Sequence, residues 1–339
     1  MPQNQNTNED DSNSRSGSPA PSLYSFTSSV DGKVMFRNVY GRMLNNQNET
    51  YFLPADNEEH RRLDLQHRII TLTLGRLYPA AEHVWRALRP RTDRRPAILD
   101  VGTGSASWAI EMAIEFPYCD VVGIDLVPPR LNSGEIPRNC RFEIDDANLG
   151  FSHYRNSFDV VHVRSVSAGI RDFPALLREL EQVLRPEGVL LLGDGDMQLY
   201  DEDQRPISLS EPGTPGFSWT NKVFFAAYSA MKTKGGDIDS SSMNPTWLRS
   251  IDSLTQVGWD KKFIPIGPWR YRDEREKSIS EMLRTDCLGY IAGMEPLLMS
   301  EGYLPERVET MLREASAELR ELRAHLYSRW SFAWAVKAA

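Results

Sequence analysis

Cysteine is scarce in this sequence: three in 339 residues, Cys119, Cys140 and Cys287, widely spaced and with no Cys-x-x-Cys pair. An odd, scattered set argues against a disulfide framework and a thiolate zinc site, and it suits a reducing compartment. Positive charge is also in deficit. Lys and Arg number 39 against 47 Asp and Glu, a formal net charge of -8, which argues against the nonspecific nucleic-acid binding that phosphate neutralisation drives. No apolar run approaches the roughly 20 residues of a spanning helix. The opening Met1-Pro-Gln-Asn-Gln-Asn lacks the apolar stretch of a secretory signal. The expectation is therefore a chain without membrane or nucleic-acid partners, placed in the cytoplasm, with the nucleus as the alternative compartment. Oligomeric state stays open.

What is present is ample for a large core, with 40% hydrophobic and 10% aromatic residues. Residues 1–33 are rich in Ser, Asn, Gln and Asp and bury too little apolar surface to order, so a disordered tail is expected. Residues 34–96 read as a helical N-terminal cap. One helix runs from Ala55 to Gly75, with Asp56 and Glu59 spaced as a capping box and Leu63, His67, Ile70 and Leu74 on one face. A short helix follows over Pro79–Leu88. Arg89-Pro-Arg-Thr-Asp-Arg-Arg-Pro96 reads as a solvated linker.

From Ala97 apolar runs alternate with helical spacing. Strands are expected at Ile98–Val101, Asp120–Ile124, Cys140–Ile144, Phe158–Val163 and Val189–Leu192. Helices are expected at Ser107–Phe116 and Pro174–Leu184. Continuous apolar strands alternating with helices indicate a doubly wound α/β fold with a parallel sheet covered on both faces, here over residues 97–199. Beyond it, residues 200–339 read as a proline-rich lid, a helix over Pro245–Val257, a strand over Trp259–Ile264, helix throughout 278–326, and a last strand over Trp330–Val336.

The chemistry centres on Ile98-Leu-Asp-Val-Gly-Thr-Gly104. Gly102 and Gly104 follow a strand and open a helix, where glycine lets a ligand approach a helix N-terminus. Nicotinamide oxidoreductases share that pattern. Two details weigh against them: Asp100 would repel a pyrophosphate but suits a cationic ligand, and Ser107 stands where a third glycine would be. Asp125 ends the second strand, about 20 residues on, and suits ribose hydroxyls. Asp145 and Asp146 end the third. Each acid alone reads equally well as a helix cap; three on adjacent strand ends point to a nucleoside ligand.

These residues resemble the first three motifs of the class I (Rossmann-like) methyltransferases. Phe158-Asp-Val-Val161 resembles that domain's fourth strand, and Leu184-Arg-Pro-Glu-Gly-Val189 its turn into the fifth. From about Tyr40 onward the chain is similar to the fungal LaeA-like methyltransferases, in Tyr51-Phe-Leu-Pro-Ala-Asp-Asn-Glu-Glu-His-Arg-Arg-Leu63, Gln66-His67 and Pro265-Ile-Gly-Pro-Trp269. The resemblance implies a seven-stranded, mostly parallel sheet with the last strand antiparallel, and helices of 278–326 over the site. It implies S-adenosyl-L-methionine as cofactor, held by Asp100, Gly102, Thr103, Gly104, Asp125, Leu126, Asp146 and Ala147. The sequence departs at Ala106, where the family often has glycine; alanine is small and little harm is expected.

Methyl transfer asks the protein chiefly to align an acceptor and exclude water. An alcohol or phenol also needs a base, for which His162 and His67 are candidates, each also readable as a core histidine. No metal is expected, although Asp194 and Asp196 raise magnesium as an alternative. Phe217, Trp219, Phe224, Phe225, Tyr228 and Trp247 suggest an aromatic acceptor pocket. The leading expectation is O-methylation of a small-molecule intermediate of a fungal secondary-metabolite pathway. The alternative is a nuclear regulator of secondary metabolism acting through protein partners.

Overall fold

The computed structural model describes residues 35–131 and 133–339; the expected tail at 1–33 lies outside them. The described chain opens on a two-stranded hairpin, β1 (Phe36–Val39) and β2 (Arg42–Asn45). Its turn puts Tyr40 and Gly41 at φ +48° and +80°, the pair of left-handed residues that a tight hairpin demands. Tyrosine is an unusual choice there, so no turn signal marks the hairpin in the sequence.

Helix α1 (Asn57–Leu74) starts where the capping box predicts. Asp56 accepts from the Glu59 backbone N–H at 3.0 Å, and Gly75 closes the helix at φ +73°. Helix α2 (Ala81–Ala87) follows. The arginine-rich linker is more than solvated: Arg94 pairs with the buried Asp159 at 2.7 Å and Arg95 with Asp120 at 2.9 Å. Both pin the entry to the sheet.

The sheet contains β3 (Ala97–Val101), β4 (Asp120–Asp125), β5 (Cys140–Ile144), β6 (Phe158–Arg164), β7 (Leu184–Tyr200), β8 (Leu254–Pro265) and β9 (Tyr327–Lys337). Their order is β5-β4-β3-β6-β7-β9-β8. The first five in that order are mutually parallel, and β9 is antiparallel to both its neighbours. This is the mostly parallel seven-stranded sheet with an antiparallel last strand. Alternation sends Ala97, Leu99 and Val101 to one face and Ile98 to the other, so helices cover both. Helices α3 (Ser107–Glu115) and α4 (Phe173–Val183) connect the parallel strands. Strand β7 outruns its apolar signal because its second half keeps pairing with β9 as far as Tyr200.

The carboxy-terminal half departs from expectation in three places. Helix α5 (Trp219–Thr233) begins at a Ser218 cap, among the aromatics expected to form an acceptor pocket, where no helix is expected. Helix α6 spans Ser240–Arg249 rather than Pro245–Val257. Pro245 sits inside it, and residues 254–257 join β8 because strand pairing with β9 outweighs local helical spacing. The continuous helix over 278–326 is three: α7 (Glu274–Ala292), α8 (Glu295–Ser300) and α9 (Pro305–Glu321). Gly293 and Gly302, the latter at φ +80°, mark the breaks, and Pro305 starts the third helix. These helices and α1 share a second apolar core beside the sheet.

Candidate active site

The carboxyl ends of β3, β4 and β5 open into a cavity enclosing about 1120 Å³, its mouth included. All eight residues proposed for the cofactor, Asp100, Gly102, Thr103, Gly104, Asp125, Leu126, Asp146 and Ala147, line it. The loop after β3 turns through three left-handed residues, Gly102, Gly104 and Ala106, at φ +69°, +55° and +71°. The N–H groups of Gly102 and Thr103 both donate to the Ile124 carbonyl at 2.9 Å, strapping the loop to β4. A Cβ on Gly102 would lie 2.3 Å from Val166 Cγ1, and one on Gly104 3.1 Å from Leu63 Cδ1. The backbone is therefore cradled too closely for side chains, as a ligand lying on a helix N-terminus requires. Ala106 is less innocuous than its size suggests, because a Cβ in the left-handed region carries strain.

Each acid has internal work. Asp100 takes the His162 ring Nδ1 at 2.7 Å and the Thr103 hydroxyl at 2.8 Å, so its direct bonds are within the protein while its charge sits under the cavity. Asp125 accepts from the Gly104 N–H at 2.8 Å and the Val127 N–H at 3.3 Å. Burial, with Asp100 nearby, pushes its carboxyl up to about 6. A carboxylate has about four lone-pair directions; with the Leu126 N–H also bonded to it, Asp125 keeps capacity for one hydroxyl. Asp146 caps a short 3-10 turn through the Asn148 N–H and also accepts from the Asn48 amide at 3.0 Å. The cap reading thus holds for Asp146, and the bond ties the N-terminal segment to the cavity rim.

The two histidines part company. His162 is paired across the sheet with Asp100, stacks on Trp108 at 3.8 Å and is 5% exposed. Burial lowers its pKa, and it lines this first cavity but not the second one described below. His67 lies between Arg164, 3.0 Å from Nδ1, and Glu111, 3.1 Å from Nε2, outside the linings of both cavities described here. Burial first, then Arg164, depress its pKa.

A second cavity, about 840 Å³ with its mouth, adjoins the first and shares Tyr51, Glu59, Leu63, Gln66 and Ser165 as a common wall. Leu53, Met231, Ile238 and Leu283 give it apolar surface. Of the six aromatics expected there, Phe224 lines it; Phe225 is exposed and Trp247 stacks on Phe173. Amphipathic spacing could not say which side of α5 would face the cavity. In its wall, the buried Arg62 holds Glu59 at 2.7 Å and Asp286 at 2.8 Å. Asp286, 224 residues from Arg62 in sequence, could not be linked to the Glu59–Arg62 pair without the fold.

The acids after β7's parallel half hold serines. Asp194 accepts from the Ser240 hydroxyl at 2.6 Å. Asp196 accepts from Ser241 and Tyr200 at 2.6 Å each and pairs with Arg329. Among the described residues no group of three or more His, Cys, Asp or Glu side chains is arranged to hold a metal. No helix among them is long and apolar enough to cross a membrane.

Residues 93–215 match the family described as a methyltransferase domain. The chain is 33% identical over 294 residues to the secondary metabolism regulator laeA of Coprinopsis cinerea, covering 86% of this chain and 72% of that protein. It is 29% identical over 303 residues to the methyltransferase pytC of Aspergillus terreus, covering 86% of each. The protein-methionine methyltransferase laeA of Emericella nidulans is 25% identical over 313 residues, covering 91% of this chain and 78% of that one. A third of the residues are thus shared with a LaeA protein along most of both chains, and this chain belongs to the LaeA-like family of S-adenosylmethionine-dependent methyltransferases.

Proposed function

We propose that this methyltransferase methylates an oxygen of a small, fairly apolar metabolite in a fungal secondary-metabolite pathway. The observation that carries the reading is the second cavity. It abuts the cofactor cavity through a shared wall, is partly apolar, and lies among α1, α5, α7 and the end of β7. A metabolite seated there meets the methyl donor away from bulk water.

S-adenosylmethionine supplies an electrophilic methyl group. Around it, the Gly102–Gly104 backbone and the Asp125 carboxylate would hold the nucleoside, and Asp146 with Ala147 would border the adenine. Asp100 orients Thr103 and His162 below and places negative charge near a cationic ligand. His162 is read as a positioning residue rather than a base, since its Nδ1 is engaged by Asp100 and its ring is stacked on Trp108. Calorimetry with S-adenosylmethionine and transfer of a labelled methyl group to fractionated metabolite extracts test the proposal. Transfer to proteins with none to the metabolite fraction would refute it.

A second reading is favoured by the names of two relatives, one a regulator and one acting on protein methionine. In it the chain is a nuclear regulator of secondary metabolism that works through protein partners. Exclusive nuclear accumulation of a fluorescently tagged full-length chain would favour that reading, and cytoplasmic accumulation the enzyme of small metabolites.

A further inference from the structure

Tyr51, Glu59, Leu63, Gln66 and Ser165 form the wall between the two cavities, and a methyl group leaving the first cavity for the second would pass along it. Most polar atoms of this wall are committed elsewhere. Both oxygens of Glu59 accept from Arg62, Gln66 lies beside Asp286, and the Ser165 hydroxyl is shut away from both cavities. The Tyr51 hydroxyl differs. No described residue hydrogen-bonds to it, yet its oxygen keeps accessible surface, so it faces the cavity space.

The rest of Tyr51 is firmly held. Its carbonyl accepts from the Asn45 amide at 2.6 Å, and its N–H donates to the Asn48 side-chain oxygen at 3.0 Å. Both asparagines are buried. The Asn48 amide donates in turn to Asp146 at 3.0 Å. The other Asp146 oxygen takes the Asn148 amide at 2.8 Å, which also donates to the Gly169 carbonyl at 2.8 Å. Gly169 is where the Tyr51 side chain packs: a Cβ there would sit 3.2 Å from Tyr51 Cβ and 3.3 Å from the ring. One carboxylate of the proposed cofactor site thus fixes Tyr51 through its backbone and through the turn its ring packs on. A side chain supported by a hydrogen-bonded shell, with its own polar tip unpartnered in a cavity, is preorganised for a ligand.

We propose that the Tyr51 hydroxyl oxygen faces the methyl group of S-adenosylmethionine and holds it toward the second cavity, accepting its polarised C–H groups as weak hydrogen-bond donors. This rests on the reading above, in which the first cavity takes the cofactor and the second the acceptor. The positive sulfur draws electron density from the methyl carbon, so the methyl hydrogens are more positive than those of an ordinary alkyl group and make better donors to oxygen. S-adenosylhomocysteine has neither the charge nor the methyl. Tyr51 therefore tells the methyl donor from the spent cofactor and favours the donor.

The surroundings keep the hydroxyl in the form this role needs. Burial first, then the charges of Glu59 and Asp125, raise the pKa of the phenol, with Arg62 acting the other way. Tyr51 therefore stays protonated at neutral pH, a neutral hydroxyl with free lone pairs rather than a base. The same charges place it between the two ligands: Asp125 lines the first cavity and Arg62 the second, and Tyr51 feels both. Tyr290 offers a contrast. It lines the second cavity and not the first, and its hydroxyl already donates to the Met197 sulfur at 3.6 Å.

The test is calorimetry of the full chain with S-adenosylmethionine and with S-adenosylhomocysteine. Tyr51→Phe keeps the ring against Gly169 and removes only the hydroxyl. It should weaken S-adenosylmethionine about twofold to fivefold and leave S-adenosylhomocysteine unchanged. Tyr290→Phe should change neither. Magnetic resonance of bound S-adenosylmethionine with an isotope-labelled methyl group gives a second readout. The methyl proton resonance should move upfield in Tyr51→Phe, because a C–H···O contact deshields the proton while the ring current is the same in both proteins. Equal loss of the two ligands in Tyr51→Phe, or loss of neither, overturns the proposal. So does an unmoved methyl resonance, or an equal effect of Tyr290→Phe. Failure of the wild type to bind S-adenosylhomocysteine instead overturns the cofactor assignment beneath it. A native near-ultraviolet circular dichroism spectrum establishes that each variant is folded.

Discussion

In the proposed cofactor site Asp125 would trade stability for cofactor binding, and the trade can be measured with one substitution. Burial holds its carboxyl at about 6 instead of 3.8. At about 1.4 kcal/mol for each tenfold in acidity, the charged form costs the cofactor-free protein about 3 kcal/mol at neutral pH. Asn at this position abolishes that cost but keeps a single acceptor for the Gly104 and Val127 N–H groups, losing about 1 kcal/mol. Asp125→Asn should therefore gain about 2 kcal/mol, or about 4 °C in melting temperature for a chain of this size. The folded carboxyl keeps its proton to a higher pH than the unfolded one. Acidification from pH 6 toward pH 4 therefore favours the folded wild type, and the charge cost is complete only above about pH 7. At pH 4.5 it has shrunk to about 1 kcal/mol, the size of the lost hydrogen bond, so variant and wild type should melt together. The same substitution should weaken S-adenosylmethionine about 30-fold, one charge-assisted bond to a ribose hydroxyl being worth about 2 kcal/mol. Thermal melts at pH 7.5 and 4.5 with calorimetry decide. A variant less stable than wild type at both pH values refutes the burial argument, and wild-type affinity refutes the ribose role.

Gly104→Val places a β-branched residue at φ +55° with Cβ 3.1 Å from Leu63 Cδ1; it should reduce cofactor affinity at least tenfold by calorimetry while far-ultraviolet circular dichroism stays native. Ala106→Gly relieves about 1–2 kcal/mol of left-handed strain but loses a buried methyl, about 0.8 kcal/mol, and adds about 0.4–1 kcal/mol of unfolded-chain entropy. Its urea midpoint should stay within about 1 kcal/mol of wild type, whereas Ala106→Val should fall well below. Arg62→Ala leaves Glu59 and Asp286 buried without their counter-charge and should cost about 3–5 kcal/mol. Adding Glu59→Gln and Asp286→Asn should recover most of that loss, and failure to recover it would show that the arginine acts by packing alone.

Several elements were legible because a local rule states them. The Asp56 cap and Gly75 stop delimit α1 whatever packs against it, and Cys140–Ile144 is a strand of matching extent in both readings. Helix α6 was misplaced because its start signal is weak: the cap position, Asp239, makes no side-chain capping bond to the helix. The aromatic stretch from Phe217 to Tyr228 mixes core, surface and cavity positions, and composition does not sort them. Among the proposed site residues, Asp100 stands two residues before Gly102, and Asp125 and Asp146 stand at or just after strand ends, so all three could be named. Ser165 and Trp330, which line the second cavity, carry no motif and could not.

Strand periodicity and the glycine loop by themselves determined the α/β sheet and the edge of it proposed to bind a nucleoside. Those features depend on contacts within about 30 residues of chain, where alternation, caps and left-handed turns act locally. The second cavity, proposed for the acceptor, was decided by tertiary structure alone. Glu59 and Arg62 meet Asp286 from the far end of the sequence, and the antiparallel β9 lays Trp330 against Gly195 of β7. Pairing of distant strands and helices brings those polar groups together, and no short-range spacing encodes it. The loop Ile98–Gly104 thus points to the proposed place of the methyl donor, whereas the second cavity, proposed for the acceptor, is walled by segments far apart in the sequence.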